Sequence, residues 1–175
     1  DDPILDKYHP FIAPLDACSS FNCLNSDNEY IHCRNLDLIH AEQLPYVPSL
    51  IIHNIPKHGY ESISFSTFGL LSLDKNDNPF EHEQAFKTFE LVPLDGINSA
   101  GLAININDIY KSASHVNQNE EGKIDVTTTI LLRLILNKAK NVDEAIKLIK
   151  SYNLHDSDTR SAAYHFMISD DSGAS

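Results

Sequence analysis

Residues 15–38 read LDACSSFNCLNSDNEYIHCRNLDL and hold all three cysteines of the chain, with Arg34, Asn35 and Asp37 clustered just behind them. A thiol attacks as its thiolate, and a guanidinium close to it favours that form. Cys18, Cys23 and Cys33 are therefore the candidate nucleophiles, and Arg34 is their candidate electrostatic partner. A plainer reading stands beside this one. A cysteine in a strand is most often a small buried hydrophobe, and an Arg and an Asp three positions apart are most often a surface ion pair.

The elements around the cluster decide between these readings. CSSFNCLN and YIHCRNLDL flank the polar SDNE, a turn composition, which predicts a β-hairpin. A two-residue loop at Asp27 and Asn28 places Cys18 opposite Asp37, Asn22 opposite Cys33, and Cys23 against His32. Arg34 and Asp37 are an odd step apart, so a straight strand points them to opposite faces. Both reach Cys18 only if the strand bulges or ends between them, as strands beside active sites often do. An irregularity between Arg34 and Asp37 is therefore expected.

Further along, SLIIHNIP, the turn KHG and YESISFSTFGLLSL predict a second hairpin, while FKTFELVPL and GLAININD read as strands. DKNDNPFEHEQ and HVNQNEEGK read as polar loops. DVTTTILLRLILNKA predicts a buried helix with Asp125 as N-cap. NVDEAIKLIKSYN predicts a second helix, with Asn141 as N-cap and Glu144 three residues on. AAYHFMIS is strand-like and runs into the turn signal DDSG. Strands, then a helix pair, then a strand describe an α+β layered domain rather than an alternating βαβ chain.

Composition narrows the function. The 175 residues suffice for one domain with a sizeable core, and 42% are hydrophobic. Twenty-five acidic residues against 13 basic ones give a net charge of -12, which argues against nucleic acid and against anionic membranes as partners. DKNDNPFEHEQA mimics the start of a calcium loop, but Pro79 stands where glycine is needed and Ala85 where a bidentate Glu belongs. No HExxH or paired-cysteine spacing favours zinc, and DGINSAG lacks the dinucleotide fingerprint. Neither cofactor nor metal is expected. Asn98 within DGINSAG reads as a turn-stabilising residue. Three cysteines leave at least one thiol unpaired.

Cys-Ser-Ser at 18–20 followed by Arg-Asn-Leu-Asp at 34–37 resembles the N-terminal-nucleophile (Ntn) hydrolases of the choloylglycine hydrolase and penicillin V acylase family, with acid ceramidase among its relatives. The spacing from Cys18 to Arg34 is that of the family's nucleophile and its Arg-x-x-Asp. Cys23 and Cys33 do not fit it. DGINSAGLAI at 95–104 resembles the family's Asp-Gly-x-Asn-x-x-Gly-Leu segment. LLRLILNKAKNVDEAIKLIKSYN resembles its helix pair, and YHFMISDDSGAS its strand and turn ahead of a further strand.

The resemblance implies an αββα sandwich of which residues 18–175 form the front part, preceded by a leader or propeptide-like segment at 1–17. It implies cleavage of the Ala17–Cys18 bond and hydrolysis of a small N-acyl amide through acyl-Cys18. The freed α-amine then serves as proton carrier, Asp37 holds that amine and Arg34 stabilises negative charge. Straight register puts Asp108 where members with a side-chain oxyanion donor carry Asn. An ionised carboxylate cannot donate, so the adjacent Asn107 or a backbone N–H is the oxyanion candidate. An acyltransferase using the same thioester is one alternative, and a catalytically incomplete binding or precursor fragment is another. A homo-oligomer, or completion by a C-terminal segment, is expected, and export is the preferred location.

Overall fold

The computed structural model describes residues 17–37, 49–67, 81, 87–109, 118–155 and 163–175. The leader at 1–16 and the calcium-like loop at 74–80 lie outside the described residues.

The first hairpin pairs β1 (Ala17–Leu24) with β2 (Tyr30–Asp37). Its loop is one residue longer than the sequence reading expects. Asn28 N–H donates to Asn25 O at 3.2 Å, and Asn25 N–H donates to Glu29 O at 2.9 Å. The Asn25 carboxamide also accepts from the N–H groups of Asp27 and Glu29 at 2.9 and 2.8 Å. Asn28 takes a left-handed φ of 62°, which asparagine tolerates better than most residues. These bonds close a three-residue loop, Ser26 to Asn28, built as a turn followed by one left-handed residue.

The extra loop residue shifts the register by one. Cys18 pairs with Leu36, Ala17 with Asp37, Ser20 with Arg34, Phe21 with Cys33, Asn22 with His32 and Cys23 with Ile31. The expected pairs Cys18–Asp37, Asn22–Cys33 and Cys23–His32 are thus each corrected by one position. The pairing continues to Asp37 without a slip, so the expected break between Arg34 and Asp37 is absent. Opposed residues share a face. Cys18, Ser20 and Asn22 therefore stand in one row with Leu36, Arg34 and His32.

A five-stranded antiparallel sheet lies against that row. Its order is β3 (Ser49–Asn54), β4 (Ser62–Thr67), β5 (Asp95–Asn98), β6 (Ala103–Ile109) and β9 (Ala163–Ser169). The other face carries α1 (Thr128–Lys138) and α2 (Val142–Ile149). Alternation along β6 divides the two environments. Ile104 and Ile106 join Leu131, Leu132, Ile135 and Leu136 in the buried core, while Asn105 and Asn107 make their contacts among themselves and with the hairpin. Polar residues at that spacing on a buried strand require partners.

The DGINSAGL segment fastens the sheet to the helices. Asn98 accepts from the N–H groups of Ala100 and Leu102 and donates to Leu136 O and Ala139 O. It is a turn-stabilising residue, and it also satisfies helix-end carbonyls. A Cβ at Gly96 would lie 2.8 Å from Ile63 O and 2.9 Å from a Leu136 methyl, so only glycine lets β5 run this close to α1.

Other local readings need correction. The N-cap of α1 is Thr127. Asp125 instead lies on β7 (Ile124–Val126), which pairs in parallel with β8 (Tyr152–Leu154), and it accepts from Asn153. That two-stranded sheet has no counterpart in the sequence reading. Residues 87–89 of the expected strand FKTFELVPL form a helical turn, closed by bonds from Leu91 N–H to Thr88 O and Val92 N–H to Phe89 O. The Asn141 cap stands: its side chain accepts from Glu144 N–H at 3.0 Å. The Glu144 carboxylate accepts from Lys140 N–H, one residue earlier than a strict capping box.

The architecture is α+β: a helical layer, the five-stranded sheet, and the hairpin as a second β layer. The second helical layer of an αββα sandwich is not among the described residues. No helix among them is long and apolar enough to cross a membrane.

Candidate active site

The corrected register brings Arg34 to Cys18 without any strand distortion. Ser20 opposes Arg34, and Cys18 is the next residue of that row. Arg34 Nη2 lies 3.9 Å from Cys18 Sγ. The arginine side chain is only 6% exposed, so it is not a surface cation. Nη1 meets Asp95 Oδ2 at 2.8 Å, and Nη2 donates to Ile106 O at 2.8 Å. A planar guanidinium held at two points has one orientation. Its Nε is buried and has no hydrogen-bond partner among the described residues.

Asp95 is the first residue of the DGIN motif, and sequence reasoning missed it as a site residue. The signal was present: an acidic residue opening a strand whose third following residue ties the sheet to a helix. What no sequence pattern conveys is that β5 and β6 pass beneath β2.

Asn107 donates from Nδ2 to Ser20 Oγ at 2.7 Å and accepts from Asn105 Nδ2 at 2.8 Å. It therefore meets the row that holds Cys18, two positions along from it. The backbone of Asp37 pairs with Ala17; the side chains of Asp37 and Asp108 lie outside the described residues. Cys23 and Cys33 stand on the opposite row of the hairpin, with Phe21 and Ile31. All three cysteines are free thiols.

A cleft of about 480 Å³ opens between the loop end of the hairpin and the part of the sheet that the hairpin leaves uncovered. Ile31, Ile51, Ile63, Phe65 and Ile97 line it, and Arg34, Asp95 and His32 form its polar wall. Among the described residues no three His, Cys, Asp or Glu side chains are grouped to hold a metal ion.

The family described as linear amide C–N hydrolases, choloylglycine hydrolase family, matches residues 18–175. The chain belongs to that family. Among solved structures it is similar to two variants of conjugated bile acid hydrolase from Clostridium perfringens. One aligns with a TM-score of 0.58 at 18% identity, covering 88% of this chain and 45% of that one. The other aligns at 0.57 and 18%, covering 90% and 46%. Penicillin V acylase from Agrobacterium tumefaciens aligns at 0.43 and 14%, covering 87% and 32%. The bile acid hydrolase alignments establish the fold, and the chain spans less than half the length of these structures. Among curated proteins none matches this chain.

Proposed function

We propose that Cys18 is the nucleophile of an amidohydrolase that cleaves a small N-acyl amide, a non-peptide linear amide, through an acyl-Cys18 thioester. The observation that carries this reading is the buried, doubly held Arg34 guanidinium 3.9 Å from Cys18 Sγ. The family match beginning at Cys18 supports the same residue.

In the reaction Sγ attacks the amide carbonyl carbon. The carbonyl oxygen becomes an oxyanion, the amine leaves with a proton, and water then hydrolyses the thioester to free the acid. Arg34 stabilises negative charge on sulfur before attack. Asn107 is the candidate donor to the oxyanion.

The proton carrier is the α-amine of Cys18, which exists only after the Ala17–Cys18 bond is cut. Attack of Sγ on the Ala17 carbonyl moves the acyl group from nitrogen to sulfur, and hydrolysis of that ester releases the preceding segment. Asp37 holds the new amine. In the observed register Asp37 is the last residue of β2 and lies opposite Ala17, one row away from Cys18, so this role requires the chain to turn at the end of the strand. The apolar cleft with Arg34 in its wall suits an apolar acyl group.

Intact-mass and N-terminal analysis of the wild type and Cys18→Ala, prepared in parallel, test the reading. The wild type should begin at Cys18. Cys18→Ala should keep the preceding segment and lose on the order of 10⁴-fold or more in turnover of an N-acyl amide. Cleavage of Cys18→Ala at the same bond would sink self-processing. Retained turnover would sink the nucleophile.

A further inference from the structure

Five side chains form an unbroken hydrogen-bond chain across the gap between hairpin and sheet. Asn107 Nδ2 donates to Ser20 Oγ at 2.7 Å, and Asn105 Nδ2 donates to Asn107 Oδ1 at 2.8 Å. His32 Nε2 lies 2.6 Å from Asn105 Oδ1, and His32 Nδ1 lies 2.7 Å from Ser169 Oγ. Asn105 is fully buried, and Ser169 is 3% exposed, so these groups must satisfy one another.

The chain has a direction. A carboxamide oxygen only accepts, so the Nε2 that faces Asn105 Oδ1 carries a proton. In the neutral ring Nδ1 then accepts from the Ser169 hydroxyl. The competing wiring runs the other way. With the proton on Nδ1, His32 donates to Ser169, Asn105 flips to donate to Nε2, Asn107 flips in turn, and Asn107 turns its carbonyl toward Ser20. Carboxamides have nearly the same shape in both orientations, so packing does not choose between them. The imidazole does. The difference matters at the far end, because an N–H stabilises an oxyanion and a C=O repels it.

We propose that His32 is a positioning residue. By holding its proton on Nε2 it orients Asn105, and through Asn105 it makes Asn107 present N–H groups rather than its carbonyl to the row that holds Cys18. The catalytic part of this rests on the reading of Cys18 as nucleophile and Asn107 as oxyanion donor. The wiring itself does not.

Two measurements test it in the purified protein. Nitrogen-resolved NMR of the histidine rings should find neutral His32 as the Nε2–H tautomer. In kinetics, His32→Leu should lower kcat by roughly 10- to 100-fold with KM changed less than about twofold, because the lost stabilisation belongs to the transition state. His32→Gln keeps an N–H near the Nε2 position and should recover kcat to within about threefold of wild type. An Nδ1–H tautomer overturns the proposal, and it does so whether or not any variant folds. Equal losses in His32→Leu and His32→Gln also overturn it, as does a folded His32→Leu with unchanged kcat. Cys18→Ala serves as the control: turnover surviving there refutes the nucleophile instead, and the tautomer still decides the wiring.

Discussion

The two faces of the five-stranded sheet are built on opposite principles. Toward the helices, Leu102, Ile104, Leu132, Ile135 and Leu136 are fully buried. Even the polar row of β4 is consumed there: Arg133 donates to Ser62 Oγ, Ser64 Oγ and Glu90 O. Burial pushes the Arg133 guanidinium below its usual pKa, and the carboxylate of Glu90 opposes that shift. Toward the hairpin, the contacts are polar and directional where β6 meets β1 and β2. Beyond the hairpin the sheet is open, with Ile51 73%, Ile63 52% and Ile97 51% exposed. Close-packed apolar surface stabilises without regard to the orientation of any one group. Hydrogen-bonded amides and a pinned guanidinium contribute little net stability but fix orientation. One face therefore holds the domain together, and the other fixes the orientation of its polar groups.

This contrast is open to direct attack. The largest effect is expected on the helix face: Leu132→Ala should cost about 2–5 kcal/mol in denaturant unfolding, because it leaves a cavity in the packed core. Site geometry in the surviving folded protein should be intact. A loss under about 1 kcal/mol would show that this face is not the main source of stability.

Next comes Arg34→Lys. An ammonium keeps the charge but cannot hold Asp95 and Ile106 O as a planar fork does, so turnover should fall about 10- to 100-fold. Its unfolding midpoint should move less than that of Leu132→Ala. A large stability loss with normal turnover would reverse the assignment of the two faces.

A smaller effect is expected where the C-terminal turn meets α2. Burial raises the Asp170 carboxyl pKa, but hydrogen bonds from Ser172 and from the N–H groups of Val142 and Ser172 outweigh it and hold the group below its usual value. A depressed carboxylate contributes stability that is present above the unfolded value of about 3.9 and lost as pH falls through the lower folded value. The protection factor of the Val142 amide, its exchange corrected for the intrinsic rate, should therefore fall on acidification through that range. In Asp170→Asn the acid dependence should vanish, at a cost of about 1 kcal/mol at neutral pH.

The smallest effect is expected on the open face, where Ile63→Ser should change stability by no more than about 0.5 kcal/mol. A cost comparable to that of Leu132→Ala would mean that this face is covered in solution.

The elements were legible where one local rule governs them. α1 and α2 follow from apolar spacing and from the Asn141–Glu144 pair. The second hairpin follows from two β-rich runs around KHG. Asn98 declares itself by standing where a turn needs a side-chain acceptor. The same kind of rule misread FKTFELVPL, whose apolar residues are compatible with a strand but are claimed by the turn at 87–89. It also placed the α1 cap at Asp125, because a short parallel sheet holds that residue in extended backbone.

At the candidate site, Cys18 and Arg34 were already singled out along the chain by their order and spacing. Tertiary structure decided how they meet. The hairpin register turns on whether the loop contains two residues or three, and the Asn25 carboxamide and the left-handed Asn28 settle that. One residue of register moves a whole row of side chains to the other face, and here it moves Arg34 onto the side of Cys18. Asp95, His32 and Asn105 lie far from Cys18 in sequence or one row away in the wrong register. Only the stacking of the hairpin on β5, β6 and β9 brings them together, because hydrogen bonds between layers depend on distances that no local pattern encodes.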